Sequence, residues 1–282
     1  MKQDYVAQTW DLFVDSIRVF QGLGMRPWYN PVDGRVVPAT EFSRFSLAAA
    51  RSGGWYLDDI AITNNRPAET LYGGLQTADI RVSLNSDDAE EKCWNGGMEL
   101  DGGQNNDLDM GYQYDFDETP PREESRIIGI AFTNGIAQGS AIHRAYLQFC
   151  ERNSGNDKDK YSPLRVESQA ADNASTFASN NYNITSRART GHQVAWSPPG
   201  WYQTGQSNHR HASPDLAILI HDVTARAGWQ PGNRLALIIS DELSPMILSD
   251  PDDSGRRREA IGRELDPAKA PLLHVEWAAP LP

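Results

Sequence analysis

Ile128-Gly129-Ile130-Ala131-Phe132 places a large apolar side chain at every second position, the period of a strand with one face in a core. The same period returns on either side, at Ile80, Val82 and Leu84, at Leu108, Met110 and Tyr112, between Ala145 and Phe149, and at Leu164 and Val166. Clusters of Gly, Pro, Asn and Asp separate these runs. Period-two segments punctuated by turn residues predict an antiparallel β-sandwich. One stretch breaks the pattern. Ser213 suits a helix N-cap, Pro214 the first helical position and Asp215 the positive end of the helix dipole, while Leu216, Leu219, Ile220 and Val223 share one helical face. A single helix is expected there, ended by Gly228 and packed on the flank of the sandwich.

The chain ahead of this region has shorter alternating runs. Trp10, Leu12 and Val14 share one parity, Asp15-Ser16 supplies a turn, and Ile17 and Val19 begin the return of a hairpin. Phe45, Leu47 and Ala49 alternate, and Trp55, Leu57, Ile60 and Ile62 flank Asp58-Asp59. Residues 64–78 are polar and broken by Pro67, Gly73 and Gly74, with 66–76 as the linker proper. The boundaries expected are therefore 1–65, 66–76 and 77–282.

Carboxylates crowd into Ser86-Asp87-Asp88-Ala89-Glu90-Glu91 and Asn105-Asn106-Asp107-Leu108-Asp109-Met110. Acids this close repel unless a cation or a set of donors holds them. Asp87, Asp88, Glu90, Asp107 and Asp109, with Glu91 and the oxygens of Asn85, Asn105 and Asn106, have the hard-oxygen chemistry that calcium takes in six- to eight-fold coordination. Alternation lets only part of this set converge, because Asp107 and Asp109 share a strand face whereas Asp87 and Asp88 point apart. The competing expectation is a solvated acidic strand edge that resists edge-to-edge pairing. Asp250-Pro251-Asp252-Asp253-Ser254-Gly255 resembles the start of an EF-hand loop, but Ile261 stands where the bidentate Glu belongs, which excludes that motif.

The ordered series formed by the Ser86–Glu91 run, Asp172-Asn173-Ala174, Ser186-Arg187, Gly228-Trp229, Gly232-Asn233 and Leu272-Leu273-His274-Val275-Glu276-Trp277, over residues 77–278, resembles a β-sandwich module repeated in large secreted and surface proteins of environmental bacteria. The resemblance implies a jelly-roll-like fold, an extracellular or cell-surface setting, and a parent chain with other domains. Tyr56-Leu57-Asp58-Asp59-Ile60-Ala61-Ile62 and Trp10-Asp11-Leu12-Phe13-Val14-Asp15 resemble the closing half of a concanavalin A-like or laminin G-like lectin domain. The fold class expected is all-β: a jelly-roll-like antiparallel β-sandwich with one flanking helix, preceded by a partial second β-sandwich. Met1-Lys2-Gln3-Asp4 lacks the apolar stretch of a signal peptide, so a secreted chain is expected to have lost its leader.

A net charge of −12 argues against a binder of nucleic-acid phosphates, which needs a Lys/Arg surplus. No window of the sequence has the apolar length of a membrane span. Sugar-binding surfaces use aromatic rings on mobile-looking polar loops, which selects Trp94, Trp201, Tyr202 and Tyr182; Trp201 and Tyr202 follow Pro198-Pro199-Gly200 and are expected at a loop tip. Trp196, Trp229 and Trp277 adjoin apolar runs and are expected in the core.

His209-Arg210-His211 would put two imidazoles on one side of a strand, as in some zinc sites, although its polar surroundings favour a solvated loop. Cys93 and Cys150 leave two readings open, a disulfide or two partly buried thiols. Ser186-Arg187 and Arg256-Arg257-Arg258 are expected to pair with the acidic surplus, and Asn173 and Asn183 head Asn-x-Ser/Thr triplets. The sequence contains no Gly-x-Ser-x-Gly elbow, phosphate loop or His-Glu-x-x-His helix. A non-catalytic module binding polysaccharide or cell-surface glycan, with calcium as structural ion, is the leading expectation; a polysaccharide-acting enzyme using Asp87, Glu90 or Asp107, and a ligand-free spacer, are the alternatives.

Overall fold

The computed structural model describes residues 72–100, 107–112, 125–152, 160–242 and 256–280 with side chains, and short strands elsewhere by backbone. The chain divides into two compact units, 1–71 with 281–282, and 72–280. In the first unit β1 (Lys2–Asp4), β2 (Thr9–Val14) and β3 (Ile17–Gly24) form an antiparallel sheet in that order, with Val14 opposite Ile17. β4 (Trp28–Tyr29) pairs with β5 (Val36–Val37). The runs at Phe45–Ala49 and Trp55–Ile62, and the linker up to residue 71, lie outside the described residues.

The second unit continues with β6 (Gln76–Arg81), β7 (Asp88–Lys92), β8 (Met98–Glu99), β9 (Asp107–Met110), β10 (Tyr114–Asp115), β11 (Arg122–Glu123), β12 (Arg126–Thr133), β13 (Ala141–Gln148), β14 (Glu151–Asn153), β15 (Leu164–Gln169), β16 (Arg189–Trp196), α1 (Ala217–Thr224), β17 (Arg234–Asp241), β18 (Arg258–Ile261) and β19 (Leu272–Ala278). A six-stranded sheet runs β16-β15-β17-β12-β7-β8; two three-stranded sheets run β13-β19-β6 and β14-β18-β9; β10 pairs with β11. Every pairing is antiparallel. The unit closes on itself, because Tyr72 bridges Pro280 and Gly73 N–H donates to Ala279 O at 2.8 Å.

Side-chain alternation divides the six-stranded sheet into two apolar faces. Ile128, Ile130, Phe132, Leu164, Val166, Leu235, Leu237 and Ile239 enter a core completed by Leu108 and Met110, by Leu147 and Val275, and by the helix. This is sheet-on-sheet packing of an all-β, sandwich-like fold. The opposite face carries Ala89, Ala131, Ala236 and Ile238, and is covered by Ala174, Phe177 and Ile184 from the segment between β15 and β16. A sheet buried on both sides explains why β17 reads as the near-continuous apolar run Leu235–Ile239.

The helix starts later than its sequence signals predict. Ser213 Oγ accepts from Leu147 N–H at 2.9 Å, serving β13 instead of the helix. Asp215 Oδ1 takes the Ala217 and Ala145 N–H groups, both at 3.0 Å. Leu219, Ile220 and Val223 are buried as the periodicity requires. Gly228 does not act as a left-handed cap. A Cβ there would overlap the Asp172 carboxylate, which Arg226 Nε holds at 2.6 Å, so glycine is needed for close approach. Trp196, Trp229 and Trp277 are buried as expected, and Cys93, exposed, and Cys150, buried, form no disulfide.

Candidate functional site

The five acids selected from the sequence separate onto different surfaces, and the pleat is the cause. Asp87 lies on the same side of its strand as Ala89 and Glu91, where its Oδ1 pairs with Arg234 Nη2 and its Oδ2 accepts from Leu84 N–H at 3.1 Å. Asp88 faces the other way and accepts from Arg263 N–H at 2.9 Å. Neither reaches the Asp107 segment as a ligand set would. Glu90 does, since its Oε1 accepts from Asp109 N–H. The expectation of a solvated acidic edge also fails: Asp87, Asp88, Glu90 and Glu91 are all buried, and β7 lies between β12 and β8.

The carboxylates that converge are Asp107, Asp109 and Glu259, each able to offer an oxygen within 4.8 Å of the others. Asp107 and Asp109 project from one face of β9, and Glu259 stands opposite Asp109 on β18. Leu108, Met110 and Ala260 point from the other face into the core, which fixes the acids outward. Arg257 bridges two of them, with Nη1 3.0 Å from Asp109 Oδ2 and Nη2 2.6 Å from Glu259 Oε1. Asp109 Oδ1 is shielded from solvent and accepts no hydrogen bond. This is a buried acidic cluster that could hold a metal ion.

Burial is the main cause of abnormal ionisation here. It pushes Asp107 up to about 7, reinforced by the charges of Asp109 and Glu259. Asp109 is likewise raised by burial, against the opposing Arg257 guanidinium. Burial, then the Asp109 charge, lifts Glu90 well above the usual carboxylate range. Asp88, beside the Arg263 backbone, is raised by burial to about 7.

For Asp88 and Asp107 the folded value of about 7 exceeds the ordinary 3.8. The folded chain therefore binds more protons than the unfolded chain between those values, and stability falls as pH rises through that window. Thermal melts of the metal-free protein should show a Tm declining from about pH 4 to about pH 7 for these groups, and Asp88→Asn should flatten part of the decline. An Asp88→Asn profile parallel to the wild type would remove Asp88 from this account.

The aromatic residues also divide. Trp201, expected at a loop tip, is only 1% exposed. Its indole Nε1–H donates to Arg210 O at 3.1 Å, and its ring lies 4.8 Å from His211 and 6.5 Å from Phe149. The turn before it folds inward because Arg258 donates to Pro199 O at 3.1 Å and to Pro198 O at 3.2 Å. Tyr202 is exposed. Trp94 is half-buried, with the Arg126 guanidinium 4.7 Å from its ring centre and Lys92 Nζ at 5.7 Å. Tyr182 is 52% exposed, and its N–H donates to Gly96 O at 2.8 Å. The structure thus brings the Trp94 and Tyr182 loops together and takes Trp201 into the core.

His209-Arg210-His211 forms a 3-10 turn, not a strand. His209 is exposed and His211 is buried, so the pair does not face one way. Asn208 N–H donates to His211 Nδ1 at 3.2 Å, which leaves Nε2–H to donate to buried Glu151 Oε2 at 3.1 Å. Of the basic spots, Arg256 lies 3.5 Å from Asp241 and Arg257 meets Asp109 and Glu259, as expected of salt bridges. Arg187 instead donates to the carbonyls of Ser175 at 2.9 Å, Thr176 at 2.9 Å and Asn183 at 2.8 Å. Glu259 is the site residue that sequence reasoning missed. Its signal was the Arg257–Glu259 alternation, a charged face matching Asp107 and Asp109. Asn105, Asn106 and 250–255 lie outside the described residues.

No protein-family model matches the chain, and no curated protein shows significant similarity to it. No helix among the described residues is long and apolar enough to cross a membrane.

Proposed function

We propose that this protein is a non-catalytic β-sandwich module of a larger extracellular or cell-surface protein, that it takes up calcium at Asp107, Asp109 and Glu259, and that it binds a polysaccharide or cell-surface glycan. The convergence of the three carboxylates from two paired strands carries the cation reading. The donors are all carboxylate oxygen, the set that suits hard cations such as calcium, magnesium and manganese. Arg257 bridges Asp109 and Glu259, and Arg152 and Arg126 also act on Asp107 and Asp109, yet Asp109 Oδ1 keeps ligand capacity to give. A divalent cation there would offset the burial that, with the charges of Asp109 and Glu259, raises Asp107, and would tie β9 to β18.

The same geometry disfavours hydrolysis. A glycosidase separates the ionisation of two carboxyl groups by placing them in contrasting environments. Here burial moves Asp107 and Asp109 in the same direction. The glycan part of the proposal is supported by exposed Tyr182 and Tyr202 on polar loops.

Calcium at one hundred times its Kd should stabilise the fold by about 2.7 kcal/mol through mass action, with chelator reversing the rise in Tm. Magnesium, which demands stricter octahedral geometry, should shift Tm less. The double variant Asp107→Asn/Glu259→Gln should melt at the same temperature with and without calcium. A wild-type Tm indifferent to calcium and chelator would eliminate the ion from this protein.

A further inference from the structure

Tyr182 is the one non-glycine residue with positive φ among the described residues, at 62°. That conformation is unfavourable for an aromatic residue and persists only where the surroundings impose it. Two devices impose it here. Glu91, on the outer face of β7, accepts from Ile184 N–H at 2.6 Å, from Thr185 N–H at 2.9 Å and from the Thr185 hydroxyl. Arg187 clasps the other side of the same loop through the Ser175, Thr176 and Asn183 carbonyls and lies 4.2 Å from the centre of the Phe177 ring. Beneath the tyrosine ring is Gly96, where a Cβ would overlap ring carbons. The phenol is thus held rigidly against a backbone floor and half its surface faces solvent. Rigid support of an exposed, strained aromatic is not needed to cover the sheet, since Phe177 and Ile184 already do that.

Asparagines border the ring. Asn95, Asn180 and Asn181 are exposed. Asn95 Oδ1 accepts from Gly97 N–H at 2.8 Å, Asn180 Oδ1 accepts from Asn183 Nδ2 at 3.1 Å, and Asn181 Nδ2 donates to Asn95 O at 3.4 Å. Those bonds leave the amide N–H groups of Asn95 and Asn180 and the carbonyl oxygen of Asn181 for a ligand. An aromatic face flanked by fixed amide donors and an acceptor matches a pyranose ring, with C–H groups on its face and hydroxyls at its edge. Trp94, in the same turn as Asn95, has the Arg126 guanidinium 4.7 Å from its ring centre.

We propose that Tyr182, with Asn95, Asn180 and Asn181, forms the subsite for one pyranose unit of a neutral polysaccharide. The proposal rests on the glycan-binding reading above and gives it a place and a ligand class. Affinity electrophoresis of the full chain through gels containing hydroxyethyl cellulose, xyloglucan, galactomannan, soluble starch or dextran, with alginate as a charged counterpart, tests it. Retention is expected in at least one neutral polymer and not in alginate. Tyr182→Gly should weaken that retention by about tenfold or more while leaving Tm unchanged or higher, because glycine adopts the positive φ without strain. Tyr182→Phe should keep retention within about threefold of wild type, since the stacking face remains. Undiminished retention of Tyr182→Gly would overturn this subsite while leaving glycan binding intact. Retention in alginate alone would overturn the neutral class, and a wild-type chain retained by no polymer would overturn both this subsite and the glycan reading.

Discussion

Replacing Trp201 with alanine is expected to cost about 3–5 kcal/mol of stability, the range for removing a large aromatic from a packed core. The ring is almost wholly buried and lies between Phe149 and His211. Its loss would empty that space and remove the donor to Arg210 O. The same contacts set the course of the segment around it: Glu151 N–H donates to Gln206 O and Gly205 N–H to Glu151 O, each at 2.8 Å. The damage should therefore extend to the buried Glu151–His211 bond. Chemical denaturation of Trp201→Ala should show a midpoint far below wild type with a similar slope. A variant as stable as wild type would return Trp201 to the surface, where the Pro198-Pro199-Gly200 turn alone would have placed it.

A comparable loss is expected from Arg234→Met. Asp87 is fully buried and its charge is met by Arg234, which also donates from Nε to Ala174 O at 3.2 Å. Removing one partner of a buried pair strands the other, at a cost of about 3–5 kcal/mol. Asp87→Asn should be milder, because Leu84 N–H and the Ser83 hydroxyl still have an oxygen to donate to. The combined Arg234→Met/Asp87→Asn variant should recover much of the loss, which equilibrium unfolding of the four proteins would show as a coupling between the positions. Simple additivity would mean that Asp87 finds its stabilisation elsewhere.

The architecture was legible because strand periodicity is a local property. Ile128-Ile130-Phe132 and Leu164-Val166 announce their own inward faces without knowledge of their partners. The helix was visible from Leu216, Leu219, Ile220 and Val223, but its start was misplaced. Ser213 and Asp215 are claimed by Leu147 and Ala145 of β13, some 66 and 70 residues away in the chain, and no local capping rule anticipates such competition. The candidate site was half legible for the same reason. Asp107 and Asp109 share a face by alternation alone, whereas Glu259 joins them only because β9 pairs with β18. Asp87 and Asp88 stood out as readily, yet their opposite orientations sent them to Arg234 and Arg263. Trp201 misled because Pro-Pro-Gly states that the chain turns, not toward which side. The Arg258 guanidinium decides that.

The bridge between Tyr72 and Pro280 has a mechanical consequence. β6 leads away from Tyr72 while its neighbour β19 leads toward Pro280, so both ends of the unit lie at the same end of an adjacent antiparallel pair. Tension applied between them pulls across the strands instead of along them. The load falls first on the Gly73–Ala279 bond and then on each rung of the β6–β19 ladder in turn. Because the net strength of a single such bond is only about 1 kcal/mol, the pair opens like a zipper at low force. A strand pair loaded in shear would resist with all its rungs at once, so this unit should yield early under stretching, starting at the edge strand β6.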